Sequence, residues 1–231
     1  MARSNPIEIA AVVVAGWIVL EVALRRGLVS AAVAVGVEPL LVDYLVLAIG
    51  FPLIATLLSW YALERGQRRE AWDWNWNLRS FGVGVLAAVV GFGLSAGAGQ
   101  IDAALFGLEG MNGAIGERLT NAFESAPALA ILFLVGNGII APIAEEQVWR
   151  GIVQTELVEG WGVVAGIGVT AVLFACKHVI VDLSILRLTT LLTLGLVFGV
   201  VRHRWGTVSS TVTHVLINTV SSASIVAVAL L

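Results

Sequence analysis

Apolar stretches of about 20 residues recur along this chain, and they constrain its fold more than any other feature. A helix needs about 20 predominantly apolar residues to cross the hydrocarbon core of a membrane. Of the 231 residues, 58% are hydrophobic and only 13% are charged, whereas a soluble domain carries about 25% charged residues. The chain is therefore predicted to be an all-α, polytopic transmembrane helix bundle of about seven to eight spans.

The apolar stretches predict seven spans, at about residues 7–24, 40–63, 81–98, 128–146, 162–178, 186–201 and 207–231. Residues 99–127 are expected to form a loop with a short interfacial helix. Arginines and alternating tryptophans between Glu64 and Arg79 fit a segment at the headgroup level, where amphipathic rings are favoured. Glu8 and Glu21 interrupt the first stretch, so we expect a span there rather than a cleaved signal peptide.

Charge distribution excludes one class of partner and suggests an orientation. The net charge of −3 and the lack of a basic run argue against nucleic-acid binding. By the positive-inside rule, the larger group of cations marks the cytoplasmic side. The spans place one group of cations on the side of the amino terminus and a smaller group opposite: Arg3, Arg65, Arg68, Arg69, Arg79, Arg150, Arg202 and Arg204 against Arg25, Arg26, Arg118, Lys177 and Arg187.

Three polar clusters lie within segments that are otherwise apolar. Ionisable groups inside a span are costly and are usually retained for a task. Their residue types are those of proton-transfer chemistry, and they lie on separate segments that can converge. The clusters are Glu145 and Glu146 with Arg150, Phe174 with His178, and His214 with Asn218.

The first cluster contains two adjacent carboxylates that are expected to differ. Glu146 and Arg150 share a helix face and can form an ion pair, whereas Glu145 is rotated by about 100°. Pro142 is expected to bend the helix and to help water reach Glu145. The alternative is that Glu145 begins a loop in which all three charges are solvated.

The other two clusters each have a plain alternative. His178 lies near the end of a span and fits an interfacial histidine equally well. Hydrogen bonding between helices would explain the serines and threonines of the last span. His214 and Asn218 together present two donors toward one point, which favours a site. A polar stripe in the last span falls at helical spacing and predicts a hydrated cavity or polar neighbours: Thr207, Thr211, His214, Asn218, Ser221 and Ser222.

In this order, the three clusters resemble the motifs of the CPBP family of CAAX-box prenyl endopeptidases and bacteriocin-processing or immunity proteins. The matching segments are residues 145–151, 174–178 and 214–218, and residues 195–207 resemble the family's glycine-rich helix and following turn. The resemblance covers roughly residue 126 to the carboxyl terminus. It implies a catalytic helical core in 126–231. Residues 1–125 are expected to form N-terminal transmembrane helices with an interfacial segment, within one integral membrane domain.

The resemblance implies hydrolysis of a peptide bond within the membrane, in a membrane-anchored or lipidated, CAAX-like peptide. Glu145, aided by His178, would activate a water molecule as general base. His214 and Asn218 would donate hydrogen bonds to the oxyanion of the tetrahedral intermediate. The remaining motif residues would shape the site: Glu146, Arg150 and Phe174.

Two points about cofactors follow from the same resemblance. The family is also described as metalloproteases, and Glu145, His178 and His214 would supply three zinc ligands with an open position. Because the chain lacks the paired-histidine helix of known zinc motifs, we favour a metal-free glutamate mechanism that needs no cofactor. Lys177 stands where the family usually has an apolar or small residue, and within the cavity its ammonium would pair with the proposed base.

Two functions from other classes compete with the protease hypothesis. One is a non-catalytic immunity or assembly factor on the same scaffold. The other is a transporter with proton relays, although no inverted repeat supports it. The expected partners are membrane lipid and the peptide substrate, and the oligomeric state is left open. We expect a multi-pass protein of a prokaryotic plasma membrane.

Overall fold

The computed structural model describes residues 4–67, 72–107 and 111–230, without the side chains of 111–116. Within these residues the chain is helical and has no strand. All the helices except α4 are long and apolar enough to cross a membrane, which confirms the predicted polytopic bundle. The helices are α1 Pro6–Ala34, α2 Pro39–Glu64, α3 Leu78–Phe106, α4 Met111–Ser125, α5 Pro127–Trp161, α6 Val163–Asp182 and α7 Leu188–Leu230.

Helix α7 is broken into two antiparallel halves at Gly206, whose φ of 89° and ψ of 167° are not helical. Ser210 Oγ lies 3.2 Å from the carbonyl oxygen of Phe198, twelve residues earlier. A straight helix would separate these residues by about 18 Å, so the chain reverses direction at the glycine. Residues 188–205 and 207–230 therefore correspond to the predicted sixth and seventh spans.

The first helix continues past the two arginines that were expected to follow the first span, and ends at Ala34. Both guanidinium groups have partners inside the protein. Arg25 Nε lies 2.8 Å from Asp43 Oδ1, and Arg25 Nη1 lies 3.1 Å from Asp182 Oδ1. Arg26 donates to backbone carbonyl groups near the end of α6. These partners allow the arginines to lie within the helix.

The orientation of the protein in the membrane is predicted from the cations at the two ends of the bundle. Two of the cations counted from the sequence do not lie at either end. Arg150 and Lys177 are both fully buried inside the bundle, so neither marks a side of the membrane. Arg3, Arg68 and Arg69 lie outside the described residues. The cytoplasmic amino terminus therefore stays a prediction.

Helix α3 is longer than the predicted span, and its last turns carry the buried Asp102. The Asp102 carboxylate accepts hydrogen bonds from the backbone N–H groups of Thr189 and Thr190, at 2.8 and 2.9 Å. It also accepts one from Thr190 Oγ1 at 2.7 Å. Because the first N–H groups of a helix lack partners within that helix, Asp102 caps α7 from a neighbouring helix.

Asp102→Ala is expected to lower the free energy of unfolding by about 1–2 kcal/mol, because the first turn of α7 loses its acceptors. Thermal unfolding in detergent should show a lower Tm. Asp102→Asn keeps one acceptor oxygen and should have a smaller effect. An unchanged Tm for Asp102→Ala would show that the cap adds nothing to stability.

Candidate active site

The three polar clusters predicted from the sequence converge on one carboxylate, that of Glu145. His214 Nε2 lies 3.7 Å from Glu145 Oε2, and His178 Nε2 lies 4.0 Å from Glu145 Oε1. Both histidines and Asn218 line a cavity of about 360 Å³ inside the bundle, together with Phe174. Helices α5, α6 and the second half of α7 thus supply one site, as the motifs predicted.

The backbone of α5 widens on both sides of Glu145. Residues Gly136–Ile140 and Glu146–Val153 are π-helical, and the α-helical turn Ala141–Glu145 lies between them. Such bulges are frequent at functional sites because they change the direction of the side chains that follow. Glu145 is 4% exposed, so it lies in the bundle rather than in a solvated loop. The loop alternative for this cluster is wrong.

Glu146 is held by three partners and pairs with Arg150, as predicted. Arg150 Nε lies 3.7 Å from Glu146 Oε1, and the guanidinium stacks over the ring of Phe174 at 4.9 Å. Ser210 Oγ donates a hydrogen bond to Glu146 Oε2, and His214 Nδ1 lies 3.1 Å from Glu146 Oε1. Glu146 therefore holds α5 against the second half of α7.

The contact with Glu146 determines what His214 can do. An ionised carboxylate only accepts hydrogen bonds, so His214 Nδ1 carries a proton in this contact. In a neutral imidazole the other nitrogen, Nε2, is then an acceptor. His214 can donate from Nε2 toward the cavity only as an imidazolium. The ring stacks on Phe198 at 4.3 Å, which fixes its plane.

Asn218 lines the same cavity as His214, but one of its two amide hydrogens is already used within the protein. Its Nδ2 donates to the carbonyl oxygen of Asn137 on α5 at 3.1 Å. Asn137 in turn donates to Ser222 Oγ at 2.8 Å. One amide hydrogen of Asn218 therefore ties α7 to α5, and its second is left for another acceptor.

His178 lies close to two carboxylates inside the protein, so it is more than an interfacial histidine. Its Nδ1 lies 3.7 Å from Asp182 Oδ2, one turn later on α6. Its ring contacts Phe174 edge-on at 5.0 Å. Asp182 was missed from the sequence, although its position four residues after His178 places both on one helix face. His178 thus lies between two carboxylates, those of Glu145 and Asp182.

The departure from the family motif, Lys177, contacts the proposed base directly. Its Nζ donates to Glu145 Oε1 at 2.6 Å and lies 3.4 Å from Glu21 Oε2. Trp17 Nε1 donates to the same Glu21 oxygen at 2.7 Å. Lys177 is fully buried, with its ammonium close to three aromatic rings, those of Trp17, Phe51 and Phe174.

The alternative zinc ligands do not fit a metal site in this arrangement. In the described ranges, no group of three or more His, Cys, Asp or Glu side chains is arranged to hold a metal ion. Glu145 Oε1 already accepts a hydrogen bond from the Lys177 ammonium. A positive charge beside that oxygen opposes binding of a divalent cation there.

With this geometry in place, comparison with known families gives a specific result. Residues 127–220 match the model of a family described as Type II CAAX prenyl endopeptidase Rce1-like. This segment is Rce1-like. The match spans 94 of the 231 residues and confirms the resemblance to CPBP-family intramembrane proteases. No curated protein and no solved structure matches the chain. Together with the six apolar helices, the match indicates an integral membrane protease.

The Rce1-like segment contains all the motif residues but not the whole site. Glu21 and Arg25 of α1 also line the cavity, and both precede the matched residues. Arg25 Nη1 lies 3.6 Å from Glu21 Oε1, so α1 contributes an ion pair next to Lys177. The sequence signal for Glu21 was its position within an apolar span, where a carboxylate is costly.

Proposed function

We propose that this chain is a glutamate-dependent intramembrane endopeptidase that hydrolyses a peptide bond of a membrane-anchored or lipidated, CAAX-like peptide. The observation that carries the proposal is the placement of two imidazole nitrogens around one buried carboxylate, at 3.7 and 4.0 Å from Glu145. Polar atoms separated by more than 3.5 Å are often bridged by water. A water molecule in the cavity beside the Glu145 carboxylate, with His178 as an aid, is the nucleophile in this mechanism.

The two oxygens of Glu145 have different tasks in this proposal. Oε1 accepts the hydrogen bond from Lys177, which fixes the orientation of the carboxylate. Oε2 faces His214 and the cavity, and it is the atom that accepts the proton of the attacking water. The water oxygen bonds to the peptide carbonyl carbon. The proton then passes from Glu145 to the amide nitrogen as the carbon–nitrogen bond breaks.

The last helix supplies the hydrogen bonds to the oxyanion in this mechanism. His214 donates from Nε2 as an imidazolium, while Glu146 holds its Nδ1. Asn218 donates with the amide hydrogen that Asn137 does not use. Donors in a water-poor site stabilise developing negative charge more strongly than in bulk water. No cofactor is required, and the membrane is that of a prokaryotic cell.

His214→Ala is expected to lower the cleavage rate by about 10²–10³-fold, as removal of one oxyanion donor does in other acyl-transfer enzymes. The assay uses purified protein in liposomes with a fluorogenic CAAX-like peptide, prenylated or unmodified. Ser221→Ala is the matched control, because Ser221 lines the same cavity but has no part in the mechanism. This substitution should leave the rate unchanged. An unaffected His214→Ala enzyme would remove His214 from the mechanism.

Addition of a chelator in the same assay distinguishes the metal-free glutamate mechanism from a zinc-dependent one. Activity that is indifferent to the chelator is expected for the glutamate mechanism. Loss of activity that zinc restores would instead make Glu145, His178 and His214 metal ligands.

The Lys177–Glu145 ion pair favours one rival function, a non-catalytic immunity or assembly factor on the same scaffold. An ammonium at 2.6 Å from the carboxylate would make Glu145 a purely structural group. Such a factor would keep its biological effect when Glu145 is replaced by glutamine, whereas a protease would lose it. Complementation by the Glu145→Gln variant in cells therefore distinguishes the two functions.

A further inference from the structure

A polar pocket and an apolar groove adjoin on the outer surface of the bundle, away from the active-site cavity. The polar pocket has a volume of about 310 Å³ and is lined by five residues between Asp73 and Val83 and by residues 203–206. The apolar groove has a volume of about 540 Å³ and runs between α3 and residues 188–205. Val83 and Trp205 line both of them, so the two form one composite site.

The polar pocket has positive charge available for an anion. Arg79 and Arg204 both line it and are exposed. Asp73 also lines it, but its carboxylate lies against Gly206 and interacts electrostatically with Arg202. In the described part of the chain, neither Arg79 nor Arg204 is paired with a carboxylate. Guanidinium groups bind phosphate through paired hydrogen bonds.

The apolar groove has the length of one membrane leaflet. Its α3 side runs from Val83 to Leu94, which is about 16 Å of helix. Half of a hydrocarbon core of about 30 Å is nearly the same length. The side chains along both walls are apolar, and several of them are exposed, including Leu86, Val90 and Val200. This surface matches an acyl chain that extends inward from the headgroup level.

We infer that this composite site binds an anionic phospholipid, with the phosphate in the polar pocket and one acyl chain in the apolar groove. Trp205 lies where the two meet, and tryptophan is favoured at the level of the headgroups. The pocket is at the end of the bundle predicted to face the cytoplasm, where the leaflet carries anionic lipids. The pocket also includes Gly206, so a bound lipid joins α3 to the turn at which α7 reverses.

Thermal unfolding of the delipidated protein in neutral detergent tests this inference. Phosphatidylglycerol should raise the Tm by about 5 °C, and phosphatidylcholine with the same acyl chains should raise it much less. Inorganic phosphate alone should give little shift, because it cannot fill the groove. The double variant Arg79→Gln/Arg204→Gln should lose the response to phosphatidylglycerol. Arg65→Gln, an exposed arginine outside the pocket, should retain it.

A variant of the groove provides the second arm. Val200→Trp should fill the groove and reduce the shift with phosphatidylglycerol, while both arginines remain. Equal shifts with the two lipids would overturn the inference, since they would show only general solvation by lipid. A full response in the double arginine variant, or the same shift with inorganic phosphate alone, would also overturn it.

Discussion

Glu145→Gln is expected to lower peptide cleavage by about 10³-fold or more, while the protein remains folded. Glutamine has nearly the same shape but cannot accept the proton of the attacking water, and general base catalysis contributes about 10²–10⁴-fold. Folding should survive because Lys177 keeps Glu21 as a counter-charge at 3.4 Å. The rate is measured in liposomes, and the fold is checked by Tm and gel filtration.

The neighbouring residue offers a matched control for this substitution. Glu146→Gln makes the same chemical change one position later, but it removes the ionic partner of the fully buried Arg150. Leaving a buried cation uncompensated should cost about 3–5 kcal/mol of stability. The two variants should thus differ in stability: Glu145→Gln should lose activity and stay folded, whereas Glu146→Gln should unfold more easily. A Glu145→Gln enzyme that cleaves near the wild-type rate would exclude Glu145 as the base.

The presence of the spans could be predicted from the sequence, because the length of an apolar stretch decides whether it can cross a membrane. The residues at which the helices end could not be predicted. The end of α1 depended on whether Arg25 and Arg26 find partners, and those partners lie on α2 and α6. The reversal at Gly206 was placed correctly between two apolar stretches. The two halves of α7 lie close enough for Ser210 to contact Phe198, and this depends on a backbone conformation at Gly206 that glycine permits.

The convergence of the three motifs and the local pair of Glu146 with Arg150 could be predicted from the sequence, but the contacts with residues of distant segments could not. The motifs predicted that Glu145, His178 and His214, on three separate helices, converge. The structure confirms this convergence. Pairings between distant segments have no signature in spacing. The contact of Lys177 with Glu21 joins residues 156 positions apart, and nothing local indicates it. The available signal was a charged residue within each of two apolar spans.

Charges of alternating sign connect α1 to the active site through Lys177. Arg25 lies beside Glu21, Glu21 beside Lys177, and Lys177 beside Glu145. Each carboxylate in this series has a cation within 4 Å, which reduces the cost of placing charge inside a membrane protein. The series explains how a lysine can replace an apolar family residue: a glutamate on α1 accompanies it.

Lys177→Met is expected to destabilise the protein by about 3–5 kcal/mol, because it removes the cation between two buried carboxylates. Glu21→Gln in the same chain should restore part of that loss, since one of the two carboxylates is then neutral. The double-mutant cycle should therefore give a coupling energy of about 0.5–3 kcal/mol. Unfolding in mixed detergents provides the free energies for the four proteins of the cycle.

The activity of the double variant Glu21→Gln/Lys177→Met tests whether Lys177 positions the base or blocks it. If Lys177 holds Glu145 Oε1 so that Oε2 faces the water, kcat should fall at least about 10-fold with KM little changed, because only transition-state interactions are lost. Glu21→Gln alone should keep most of the wild-type kcat, since the hydrogen bond of 2.6 Å between Lys177 and Glu145 remains. A double variant that is faster than the wild type would contradict positioning, and would show that the ammonium restrains Glu145.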